Sequence, residues 1–92
     1  MADKLSDDAV AAGIEGSAWR REGDAIVRDQ RFDDFAAAMA YVNRVAEAAE
    51  AANHHPDILV HGWNNVRLTL STHSVGGLTQ ADLDMARRLD DV

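Results

Sequence analysis

Three of the chain's four histidines fall in two short runs, Asn53-His54-His55-Pro56 and Ser71-Thr72-His73. An imidazole, with an unperturbed pKa of about 6.5, gives or takes a proton close to neutrality. Glu50, one helical turn before His54, adds a carboxylate to the same stretch. Three chemistries are open to such a group. The first is acid–base catalysis, which needs imidazoles held on a fixed frame. The second is a metal site, since two or three imidazoles and a carboxylate hold zinc or iron. Adjacent histidines serve one ion poorly, because neighbours in an extended segment point to opposite sides, and the spacing is not that of His-Glu-x-x-His. The third is structural: His54 closes the C-terminus of a helix and His73 decorates a strand. His61 stands apart and reads as an ordinary strand residue.

What must hold the histidines is a helix before them and a hairpin after them. Phe35, Met39, Val42, Ala46 and Ala49 recur at steps of three and four, which predicts a helix from about 33 to 52 with that stripe buried. Asp33 and Asp34 suit its positive N-terminal end, and Arg44 and Glu47 are spaced to pair on its exposed side. Pro56 disfavours helical geometry at His55, so the helix ends by His54. Two strand-like runs follow, Ile58–Val60 and Val66–Leu70, around a tight turn at Asn64-Asn65. That turn sets Trp63 against Val66, Leu59 against Leu70 and Val60 against Thr69. Continued outward, the register brings His73 opposite Pro56, beside His54 and His55. Val66, Leu68 and Leu70 then face one way, and Arg67, Thr69, Ser71 and His73 the other.

Gly76-Gly77 reverses the chain, and Thr79-x-x-Asp82 reads as a capping box opening a last helix. Its apolar side comprises Leu83, Met85, Ala86 and Leu89, with Leu78 ahead of it. Upstream, Ser6 caps a short helix over 5–13 with Leu5, Val10 and Ile14 as its apolar face, broken by Gly13 and Gly16. A first hairpin turns at Gly23. Its second strand, Ala25-Ile26-Val27 and the charged residues to Arg31, suits an exposed sheet edge. Trp19, ahead of that hairpin, reads as a core or interface residue before a ligand contact. The order α-β-β-α-β-β-α predicts an α+β fold: a four-stranded antiparallel sheet with three helices packed on one face.

At 92 residues the chain is one domain, 1–92, without internal repeat or linker. A domain of this size buries only about 60–65% of its unfolded surface, so self-association is a natural way to hide more. A net charge of −7, from 16 acidic and 9 basic residues, repels phosphate backbones. The arginine pairs Arg20-Arg21 and Arg87-Arg88 form no basic stripe, and no direct nucleic-acid binding is expected. The absence of cysteine excludes disulfides, thiolate nucleophiles and thiolate zinc sites together. No apolar run approaches the roughly 20 residues of a membrane span, and the first residues lack a signal-peptide core. No membrane association is expected, and a cytoplasmic protein is.

Glu50-x-x-x-His54-His55-Pro56, the aromatic Trp63, and Thr72-His73-x-x-Gly76-Gly77-Leu78-Thr79-x-x-Asp82 form a spaced set of motifs. With Phe32-x-x-Phe35, Ala38, Val45-Ala46, Ala49, Trp19, Ala86 and Leu89-Asp90, the set resembles the pterin-4a-carbinolamine dehydratase family over roughly residues 15–90. The resemblance implies a lyase that dehydrates a 4a-hydroxytetrahydropterin to the quinonoid dihydropterin plus water. That reaction regenerates the pterin used by aromatic amino acid hydroxylases, a functional link the resemblance carries with it. It implies no metal or organic cofactor, the pterin being the substrate, and a homodimer or homotetramer. Carried over by position, His54 and His73 resemble the family's acid–base pair and His55 its substrate-holding histidine. Glu50 resembles the carboxylate beside the pterin, and Asn53, Ser71, Thr72 and Trp19 the lining of the substrate site. Three positions depart from the common pattern: Gln30 for an aromatic, Asn53 for an aspartate in some members, and Ser74-Val75 for Asp-Ala. Some members also serve as dimerisation partners of a transcription factor. The resemblance therefore carries an alternative, a protein-binding module with weak or no dehydratase activity.

Overall fold

The computed structural model describes residues 3–92. Four strands, β1 (Arg20–Glu22), β2 (Ala25–Arg31), β3 (Asp57–His61) and β4 (Asn65–Leu70), form one antiparallel sheet in the order β1-β2-β4-β3. Helices α1 (Asp7–Ile14), α2 (Phe35–Ala52) and α3 (Gln80–Asp90) complete the expected α-β-β-α-β-β-α order and α+β class. The sheet's core face is set by register. Ile26 pairs with Leu70, and Ile58 and Val60 pair with Leu68 and Val66. Against Ile26, Val66, Leu68 and Leu70 pack Val10, Tyr41, Val45, Leu83 and Leu89 from the helices. The burial of β4 alternates residue by residue, as its sequence predicts.

Several expectations are corrected. β2 is an interior strand rather than an edge, because β4 crosses to pair with it along its length. Its charges are tolerated because alternate residues face the sheet's open side. There Asp29 meets Arg67 at 2.8 Å and Arg20 at 2.7 Å on the flanking strands. The face of α2 is also rephased. Ala38, Tyr41, Val45 and Ala49 are buried, whereas Phe35 is 54% exposed and Ala46 lies outward. In so alanine-rich a helix the apolar periodicity has two nearly equal phases, and the one containing Tyr41 wins because its ring packs on Phe32. Arg44 sits over that tyrosine ring, 5.9 Å from its centroid, and makes no ion pair with Glu47.

The second hairpin is shifted by three residues: Leu59 pairs with Arg67, not Leu70, and Val60 with Val66. Its loop is Gly62-Trp63-Asn64, with Gly62 and Trp63 both left-handed at φ 53° and 59°. Asn64 is buried and donates to the Phe32 carbonyl at 2.9 Å, while its own carbonyl receives the Phe32 amide. That pinning withdraws Asn64 from the turn positions the sequence suggests. An odd shift exchanges the faces of β3, so Leu59 is 52% and Trp63 60% exposed.

α1 runs through Gly13 instead of stopping there. A Cβ on Gly13 would lie 2.5 Å from Leu83 Cδ1, so the glycine is what lets α1 lie close on α3. Ser6 caps α1, accepting from the Ala9 amide at 3.1 Å, and the turn at Gly23 has φ 60°. Among the described residues no helix is long and apolar enough to cross a membrane.

Candidate active site

The last turn of α2 is closed by Asn53, which adopts φ 50°, a left-handed conformation that asparagine tolerates better than most side chains. The His54 amide then returns to the Ala49 carbonyl at 3.2 Å, a six-to-one closure that satisfies an otherwise free helix carbonyl. His54 and His55 are thereby delivered at a fixed point between α2 and β3, and Pro56 leads into the strand.

His73 reaches them by another route than the sequence suggests. β4 ends at Leu70, and His73 opens a 3-10 turn, His73–Val75, rather than continuing the strand. The shifted hairpin register also removes its pairing with Pro56. Thr72 bonds back to Gly77 across this turn, its amide donating to the Gly77 carbonyl at 2.8 Å. The turn nonetheless places His73 on a cleft of about 250 Å³ lined by Asn53, His54, His55, Ser71, Thr72 and His73. Six of the eight residues singled out from the sequence thus meet on one surface.

The other two behave differently. Glu50 is largely exposed and its Oε2 bonds the Nε2 of His55 at the rim. Trp19 is not brought to the cleft: it is 4% exposed, and its Nε1 donates to Asp90 Oδ1 at 2.9 Å. Arg28 shares that acceptor at 2.8 Å.

Behind His54 lies the group that the site reading missed. Asp82, fully buried, sets Oδ1 2.6 Å from His54 Nε2. Its Oδ2 accepts from Thr72 Oγ1 at 2.7 Å and from the Thr79 amide at 2.9 Å. A carboxylate only accepts, so the network assigns the His54 proton to Nε2. Thr72 spends its single hydroxyl proton on Asp82, so Thr79 Oγ1 donates to Thr72 Oγ1 across 2.9 Å. The sequence does mark Thr79-x-x-Asp82 as a capping box, and the box is present. Nothing in the pattern says that the second oxygen of the capping carboxylate is aimed at an imidazole. Asp82 also lies in the first turn of α3, where the helix dipole favours negative charge.

The arrangement is therefore one imidazole clamped by a buried carboxylate, a second paired with an exposed carboxylate, and a third carried on a tight turn. Such a set can donate and accept protons on a bound polar heterocycle. Among the described residues no three histidine, aspartate or glutamate side chains converge as a metal ligand set.

Comparison with known proteins gives concordant results. The family model described as "Pterin 4 alpha carbinolamine dehydratase" matches residues 3–92. A provisionally named pterin-4-alpha-carbinolamine dehydratase of Nocardia farcinica is 51% identical over 89 residues, 96% of this chain and 93% of its own. One of the same provisional name from Thermomicrobium roseum is 52% identical over 85 residues, 90% of each chain. A crystal structure described as a transcriptional coactivator/pterin dehydratase from Brucella melitensis superposes with a TM-score of 0.89 at 30% identity, covering 97% of both chains. A pterin dehydratase-like protein described as a RuBisCO assembly factor in the alpha-carboxysome shares the fold, with a TM-score of 0.66 at 24% identity over 83% of this chain and 89% of that one.

Proposed function

Because this chain belongs to the pterin 4 alpha carbinolamine dehydratase family, we propose that it dehydrates a 4a-hydroxytetrahydropterin to the quinonoid dihydropterin. The observation that carries this reading is the clamped His54 on a cleft shared with His55 and His73. The reaction breaks the C4a–O bond and removes the N5 proton, so that a C4a=N5 double bond and one water are formed. The leaving oxygen needs a proton and N5–H needs an acceptor, and each such transfer is typically worth about 10²–10⁴-fold. His54 and His73 take these two duties. His54, with Nε2 committed to Asp82, acts through Nδ1, which has no hydrogen-bond partner among the described residues. His55, steadied by Glu50, holds the substrate, and Asn53, Ser71 and Thr72 supply polar contacts to the edges of the bicycle. No metal or organic cofactor is required for this chemistry, and the product feeds the recycling of a tetrahydropterin.

The test is turnover of chemically generated carbinolamine, followed by the absorbance of the quinonoid product. A His54→Ala, His73→Ala double variant is expected to fall to the uncatalysed rate. Turnover unchanged in that variant removes the assignment.

Self-association of the chain is part of the same reading. β3 lies at the edge of the sheet, and Leu59 on it is half exposed, as are Phe35 and Trp63 elsewhere. Sedimentation velocity is expected to give a homodimer or homotetramer; a monomer at micromolar concentration contradicts it. A protein-binding role is a second reading, supported by those exposed apolar residues and by the coactivator description of the Brucella structure. A stoichiometric protein complex with no pterin binding by calorimetry would favour it.

A further inference from the structure

His54 lines two cavities rather than one. Besides the cleft with His55 and His73, it borders a groove of about 220 Å³ whose other walls are Ala52, Ala81, Asp84, Met85 and Arg88. Ala81, Asp84, Met85 and Arg88 are spaced i, i+3, i+4 and i+7, one face of α3. Seven residues of helix rise about 10 Å, so the groove extends two turns along α3 from the point where His54 meets Asp82. Side chains on a helix lean toward its N-terminus, which tips the long Arg88 side chain back toward His54. Ala52, the last residue of α2, leaves the opposite wall low.

The charges in this groove are unequally occupied. Asp84 Oδ1 accepts from Gln80 Nε2 at 2.9 Å and lies 3.9 Å from Arg87. The Arg88 side chain has no hydrogen-bond or ion-pair partner among the described residues. Guanidinium only donates, through five N–H groups. The groove thus offers the unpaired donors of Arg88 beside a carboxylate holding a single hydrogen bond, a combination that suits hydroxyl groups, on a floor made apolar by Met85 and the two alanines.

We propose that this groove is a specificity subsite for the substituent of the pterin ring, and that Arg88 selects an oxygen-bearing side chain over a bare alkyl one. The inference rests on the dehydratase reading, since it places the reacting bicycle in the His55–His73 cleft and lets its substituent pass His54 into the groove. A short hydroxylated chain puts its oxygens within reach of the guanidinium, whereas a methyl group leaves the guanidinium in water.

Steady-state kinetics on two carbinolamines tests it: one with a 6-methyl group and one with a 6-(1,2-dihydroxypropyl) chain. The wild-type chain is expected to favour the hydroxylated substrate in kcat/KM by about tenfold, the range of one hydrogen bond to a charged group at an accessible site. Arg88→Ala should erase that preference by lowering kcat/KM for the hydroxylated substrate alone, and Arg88→Lys should restore part of it. Equal use of both substrates by the wild type, or a preference that survives Arg88→Ala, overturns the subsite while leaving the dehydratase reading intact. Absence of turnover on either substrate removes both. Because Arg88 is exposed, the variants are expected to melt with the wild type, so a change confined to one substrate is not a folding effect.

Discussion

At the scale of single residues, the site depends on a carboxylate that never reaches the cleft. Asp82 fixes which nitrogen of His54 carries the proton and closes the first turn of α3 with its other oxygen. Asp82→Asn keeps the shape but turns one acceptor into a donor. If the new NH₂ faces Thr72 and Thr79, it meets the hydroxyl and amide that now donate to Oδ2; if it faces His54, it displaces the Nε2 proton. The first outcome leaves the buried Thr79 amide unmatched, at a cost of about 1–3 kcal/mol. The second satisfies Nε2 as an acceptor but moves the proton to Nδ1, the nitrogen proposed to act on the substrate. The expected result is a kcat lowered by about tenfold or more with KM little changed, together with a lower urea midpoint. A kcat equal to wild type would show that His54 does not need this partner. The histidines were legible in the sequence because they are few and fall in two short runs, whereas Asn53, Ser71 and Thr72, which share their cleft, were assigned to the site only through the family resemblance. Asp82 was legible only as a cap, because its second contact joins residues 28 apart in the chain. Trp19, read from the sequence first as a core or interface residue, is buried as such; its place in the substrate lining came from the resemblance alone, and its partner, Asp90, is 71 residues away.

At the scale of elements, the order and type of the three α-helices and four strands were legible, while their faces and registers, and the 3-10 turn at His73, were not. Periodicity fixes that α2 is a helix but leaves its phase open where alanine fills both sides. The hairpin register hung on a loop whose Trp63 occupies a left-handed position that few sequences signal. Gly13 is the sharpest case, since in sequence it looks like a helix breaker and in the fold it is a contact. Gly13→Ala gains up to about 1 kcal/mol of helix propensity. It also drives a methyl into Leu83, which is 4% exposed and has little room to yield, and overpacking of this kind costs about 1–3 kcal/mol. The variant should therefore be less stable than wild type in urea unfolding. In a Leu83→Ala background, itself destabilised by about 2–5 kcal/mol, the same Gly13→Ala change should become stabilising. A sign that does not reverse would mean that the close approach of α1 and α3 is not what the glycine serves.

At the scale of the whole molecule, stability is bounded in pH by groups on opposite faces of the sheet. On the open face the Arg67 guanidinium, and Arg20 after it, hold the Asp29 carboxyl below its ordinary value of 3.8 against a smaller opposing effect of burial. A depressed folded pKa contributes stability that is complete above the unfolded value and is lost as pH falls through the folded one. Asp29→Asn should therefore narrow its deficit to wild type as acid is added, and the deficit at neutral pH should shrink at about 1 M salt, because the group is 38% exposed and screened. On the core face, burial raises the Tyr41 hydroxyl above its ordinary value of 10.0, and that oxygen has no hydrogen-bond partner among the described residues. Here the sign runs the other way. The unfolded chain ionises this tyrosine above about pH 10 while the folded chain keeps its proton, so stability present below that value is lost as pH climbs through the folded pKa. Tyr41→Phe removes both the alkaline penalty and a buried hydroxyl without a partner. Thermal melting from neutral pH to about pH 11 should find the variant at least as stable as wild type at neutrality, and progressively more stable than it in alkali. Parallel alkaline limbs for the two proteins would show that the hydroxyl is not confined as the packing of α2 on the sheet requires.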